Sequence, residues 1–124
     1  MKKKQKDFEK WAMPVLKKLQ RILLLEHFEP ISIKFGCKNS YAECECDYPY
    51  QSIHIKYSQN MLDDFKKKEY KSITNSLAHE MSHPITDPIY SKANSRYVSK
   101  DEITDERERL TDHIANIVLK NNLI

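Results

Sequence analysis

The residues best equipped for chemistry are His79, Glu80 and His83, which read His-Glu-Met-Ser-His. Around them Phe65, Tyr70, Ile73, Leu77 and Met81 recur at the helical period, so the motif is expected on a helix. Four helical residues advance about 400°, which stacks the two imidazoles one turn apart on one face, close enough to share a zinc ion. Glu80, one position after the first imidazole, points to the side of the pair. There a carboxylate can reach a water on the metal without being a ligand. The competing reading is two exposed histidines on an ordinary helix.

Two imidazoles leave zinc short, because catalytic zinc sites use three protein ligands and keep a fourth position open. A metzincin would place glycine three and histidine six residues after His83, but Thr86 and Ile89 stand there, which excludes that class. Further along, Glu102, Asp105, Glu106, Glu108 and Asp112 are all acidic. With Leu110 taken as zero on a helical projection, Ile103, Ile114 and Ile117 fall within about 40°, and Glu108, Asp112, Ala115 and Leu119 gather on the opposite side. A carboxylate pair one turn apart is costly to bury unless it is paired or coordinates something. Alternatively, Glu108 and Asp112 face solvent beside Arg107 and Arg109.

His79 to His83 followed by Glu108 and Asp112 resembles the gluzincin metallopeptidases, and the wider stretches 79–87 and 108–118 are similar to the two zinc-site helices of the thermolysin group. Because the chain stops soon after the glutamate helix, it is most similar to the minimal, single-domain gluzincins (minigluzincins). The resemblance implies a zincin-like fold and a zinc-dependent peptidase. His79, His83 and Glu108 would be the Zn2+ ligands, Glu80 the general base and acid, and Asp112 the acceptor of the other ring hydrogen of a ligating histidine, His79 being the expected one. It also implies a peptide or unfolded-protein substrate lying extended along an edge strand. Ser52 to Ser58 is the candidate for that edge, which makes Ile53, His54 and Ile55 the expected substrate-binding residues.

The chain departs from the larger gluzincins in ending before the segment that carries their oxyanion-stabilising tyrosine and histidine. Tyr90, Arg96, Tyr97 and His113 are candidate replacements. The expected activity is therefore weak or latent, since lost oxyanion donors cost about 100- to 1000-fold in rate. A self-inhibiting homodimer or higher oligomer, with the apolar tail Leu123 and Ile124 occluding the cleft, is what the minimal members suggest. A frayed tail is the plainer alternative. Two other functions compete: a non-catalytic zinc-binding interaction or regulatory module, and a regulator that cleaves a single repressor or antitoxin.

The elements that must position these groups suggest an α+β domain. Phe8, Trp11, Ala12, Val15, Leu19, Ile22 and Leu23 predict an amphipathic backing helix from Asp7 to about Phe28, kinked or begun near Pro14. Alternation over Ile31–Cys37, Tyr41–Cys46 and Ser52–Ser58 predicts a small sheet of three or more strands. The motif helix is expected from about Leu62 to His83, whole or in two pieces meeting near Tyr70, with Pro84 ending it and a functional loop over 84–100. Ser99 and Glu102 have capping-box spacing for a last helix over 101–121, whose apolar face would be Ile103, Leu110, Ile114, Ile117 and Val118.

The 124 residues suit one domain, 1–124, able to bury a core of its own. Gly36 is the sole glycine, which excludes the phosphate-loop and dinucleotide fingerprints. The net charge of +3 is mild and much of it sits in Lys2, Lys3, Lys4 and Lys6, read as a solvated end, so no nucleic acid is expected. The longest apolar run, Ile22–Leu25, is far below the roughly 18 residues of a membrane span, and no cleavable signal is visible. A cytoplasmic protein without a membrane partner is expected. Cys37, Cys44 and Cys46 make an odd number without zinc-ribbon spacing and fall on apolar faces, so they read as buried core thiols.

Overall fold

The computed structural model describes residues 2–47, 52–93 and 100–121. Among them the chain forms α1 (Lys3–Ile22), β1 (Ile31–Phe35), β2 (Ala42–Asp47), β3 (Ser52–Tyr57), α2 (Gln59–Lys66), α3 (Tyr70–Ala93) and α4 (Lys100–Lys120). This is a small α+β domain with a mixed three-stranded sheet, and no described helix is long and apolar enough to cross a membrane.

The sheet order is β1-β3-β2, with β3 parallel to β1 and antiparallel to β2. Alternation puts Ile53, Ile55 and Tyr57 on one face, where all three are fully buried. The expectation that Ser52–Ser58 is an edge strand is therefore corrected: β3 is hydrogen-bonded on both sides, and β1 and β2 are the outer strands among the described residues. A strand buried on its inner face and paired along both edges gains most from β-branched residues, and that explains the strong alternation that drew attention to it.

One face of α1 carries Phe8, Ala12, Leu16 and Leu19, each fully buried, and packs on β1 and α3. Pro14 neither starts nor ends this helix, because it lies on the exposed side while the apolar stripe runs past it. The helix does stop earlier than the expected Phe28. Leu24 takes φ 59°, and Gln20 Nε2 donates to the carbonyls of Leu25 and Phe28 at 3.2 and 2.8 Å, tying down the turn that follows. Phe8 also meets Tyr57 at a tilt and Phe65 edge-on, at ring separations of 4.6 and 5.3 Å, joining α1 to the sheet and to α2.

The motif region is two helices. Ser58 caps α2 by accepting from the Met61 N–H at 3.2 Å, and Lys68, at φ 62°, marks the break before α3. The larger correction lies at Pro84. It does not end the helix: α3 runs through Pro84 and Pro88 to Ala93. Proline withholds one N–H from the carbonyl four residues earlier, that of Glu80, yet Pro84 is buried, Thr86 meets Thr111 of α4, and the packing of α3 on α4 carries the helix on. The expected loop over 84–100 is thus helix to residue 93, and 94–99, with Ser99, Arg96 and Tyr97, lie outside the described residues.

Helix α4 is also turned relative to expectation. Thr111, Ala115 and Val118 face inward, whereas Leu110 and Ile117 are 40% and 49% exposed. The buried face is centred about 100° from Leu110, between the apolar stripe and the acidic side. A pair of hydroxyls fixes this rotation: Thr111 Oγ1 lies 2.9 Å from Thr86 Oγ1 on α3 and bonds the Arg107 carbonyl at 2.7 Å. The three thiols also differ from a uniform core role. Cys37 is buried, beyond the end of β1, but Cys44 and Cys46 are only partly so, with their sulfurs 3.5 Å apart on β2.

Candidate metal centre

Helix α3 presents His79 and His83 one turn apart with their rings edge to face and Nε2 atoms 3.2 Å apart. The rotation of α4 brings Glu108 over them, with Oε2 3.0 Å from His79 Nε2 and 3.7 Å from His83 Nε2. Each imidazole is held from behind by a carboxylate. His79 Nδ1 is 2.6 Å from Asp112 Oδ1, and His83 Nδ1 is 3.0 Å from Asp87 Oδ1. A carboxylate accepts and does not donate, so each Nδ1 carries its hydrogen and each ring turns its Nε2 inward. Two ring nitrogens and a carboxylate oxygen then face one another across less than 4 Å. The arrangement is suited to sharing a proton or a cation.

The donor set suits zinc. Ligands held 2.0–2.1 Å from one tetrahedral ion stand about 3.4 Å apart, close to the 3.0, 3.2 and 3.7 Å edges of this triangle. Two imidazoles with one carboxylate, each ring fixed by an outer carboxylate, is also one of the donor sets found at catalytic zinc. His79, Glu80 and His83 by themselves lie within metal-binding distance of one another. Of the two glutamates, Glu108 is the nearer, since the closest approach of Glu80 to His79 Nε2 is 4.0 Å.

Glu80 is only 12% exposed, and its carboxyl is pushed up to about 7, chiefly by burial. The proximity of Glu108 and Asp87 adds to the rise and His79 opposes it. The group is therefore poised to exchange a proton near neutral pH. It opens with the imidazoles into a cleft of about 360 Å³ whose far wall is β2, through Ala42, Glu43 and Cys44. The hydrogen bond with the neighbouring Cys46, and then burial, hold the Cys44 thiol well above its usual range, so it meets the cleft as a neutral thiol.

The structure thus brings His79, Glu80, His83, Glu108 and Asp112 together. It does not bring in Ile53, His54 or Ile55. Ile53 and Ile55 are core residues of the central strand, and His54 Nδ1 is engaged with Ser32 Oγ at 2.6 Å. His113 is exposed on α4, and nothing is described for the side chain of Tyr90. Asp87 and Arg107 are the residues that sequence reasoning missed. Asp87 follows His83 by four positions, the same helical spacing that links His79 to His83, but the assumption that Pro84 ends the helix hid it. Arg107 carried no signal of its own. No protein-family model, curated protein or solved structure matches the chain.

Proposed function

We propose that this chain is a zinc-dependent peptidase of gluzincin type with a zincin-like fold, in which His79, His83 and Glu108 hold the ion and Glu80 is the general base and acid. The observation that carries this reading is the convergence of two imidazole Nε2 atoms from α3 and a carboxylate oxygen from α4 beside a buried carboxyl poised near neutrality and open to a cleft. A zinc ion bound there supplies Lewis-acid activation of water and of a peptide carbonyl. Asp112 and Asp87 keep both rings in the tautomer that offers Nε2. Glu80 accepts the proton of the attacking water and returns it to the amine nitrogen as the C–N bond breaks. The peptide would lie extended beside β2, the outer strand on the cleft, and not beside β3.

Metal analysis and substitution test this together. The purified protein should carry one zinc per chain, and Glu80→Gln should keep the zinc while abolishing cleavage of an unfolded protein substrate. Cleavage that persists in Glu80→Gln refutes the role of that residue. A non-catalytic zinc module is the second reading, favoured by the site joining α3 to α4, which pack against each other closely. It predicts zinc without turnover and loss of fold on chelation.

A further inference from the structure

Glu108 must aim one oxygen at two imidazoles, yet its side chain is 41% exposed on α4. Ordering so exposed a side chain costs conformational entropy, so a partner is needed to hold it. Its outer oxygen, Oε1, accepts from Arg107 Nη2 at 3.2 Å, while Arg107 Nη1 lies 3.9 Å from Asp87 Oδ1, the same atom that accepts from His83 Nδ1. The guanidinium therefore stands between the carboxylate on α3 that orients one imidazole and the carboxylate on α4 that meets both. Its backbone is fixed as well, since the Arg107 carbonyl accepts from Thr111 Oγ1, which contacts Thr86. Arg107 is 21% exposed and lies on the inward side of α4, where an apolar residue would pack at no electrostatic cost.

Charge points the same way. Asp87, Glu108 and Asp112 crowd around the two imidazoles, and Arg107 is the cation placed between two of these carboxylates. A planar fork with several donors suits bridging two carboxylates, which an ammonium does less well.

We propose that Arg107 is a positioning residue of the metal centre, holding Glu108 and Asp87 in register so that Glu108 Oε2 stays turned toward His79 and His83. This rests on the zinc reading above.

The test measures zinc affinity of the full chain by competition with a chromophoric chelator, alongside melting of the metal-free protein and the visible spectrum of the cobalt-substituted protein. Arg107→Met should weaken zinc about 10- to 100-fold, the usual cost of losing an outer-shell partner. Its cobalt bands should fall in intensity as Glu108 is lost from a compact ligand set, a change that mere loss of packing would not produce. Arg107→Lys keeps the charge without the fork and should remain several-fold weaker than the parent. It also decides the matter if Arg107→Met does not fold. Asp87→Asn should be non-additive with either variant. Parent-like or tighter zinc binding in folded Arg107→Met and Arg107→Lys, or full additivity with Asp87→Asn, overturns the role of Arg107 and leaves the zinc reading standing. A parent protein that takes up no zinc overturns both.

Discussion

Glu80 should make the metal-free protein less stable as pH rises, and its removal should show this directly. In the folded chain its carboxyl titrates near 7, against 4.5 when unperturbed. Below pH 4.5 the group is protonated in both states and costs nothing. Between pH 4.5 and 7 the unfolded chain releases the proton while the folded one retains it, so stability falls with rising pH and levels off above 7. At roughly 1.4 kcal/mol for each pH unit, the full loss is about 2–3 kcal/mol once residual solvent screening is allowed for. Glu80→Gln removes that titration. For a domain of this size the melting temperature should gain up to about 10 °C over the parent at pH 8, relative to the difference between the two at pH 5. The assay is thermal unfolding of chelator-treated protein by circular dichroism from pH 4.5 to 8. Burying an amide adds a constant offset, so the change in the gap with pH is the quantity to read. A gap that stays constant over this range would show that Glu80 is not held protonated by its surroundings.

Glu108→Ala should lose bound zinc, whereas Glu106→Ala, which removes only an exposed pair with Arg109, should keep it; metal analysis after dialysis separates them. Asp112→Asn should weaken zinc about 10- to 100-fold in a chelator competition, because the amide is a poorer acceptor for His79 Nδ1–H. Pro14→Ala, at an exposed position within α1, should raise stability by about 1–3 kcal/mol in urea unfolding, since it restores an amide hydrogen and removes a ring clash. Leu16→Ala, in the fully buried stripe of the same helix, should lower stability by about 2–5 kcal/mol.

Legibility in the sequence followed the range of the interactions involved. The three strands and α1 could be read because each buries one face, and burial imposes a period that a linear pattern records. Pro84 misled for the opposite reason. Its local rule is sound, but the cost of one missing hydrogen bond is offset by contacts with a helix more than fifteen residues away. The rotation of α4 escaped in a similar way. Leu110 and Ile117 look like a core face, and only the Thr86–Thr111 contact shows that the helix is turned off that stripe. Asp87 was in plain view at helical spacing from His83 and was hidden by the error at Pro84. The edge strand was misassigned because alternation reports which face is buried and says nothing of which neighbours pair along the edges.

The spacing of His79, Glu80 and His83 on one helical turn determined by itself that two imidazoles would converge with a carboxylate at their side, since backbone geometry alone carries that information. Only the tertiary structure decided that Glu108 is the nearer of the two glutamates, that Asp112 and Asp87 stand behind separate rings, that Glu80 is buried enough to titrate near 7, and that β2 walls the cleft. Each of these depends on how α4 and the sheet are set against α3, and that relation arises from packing between segments far apart in the chain, where no local period can encode it.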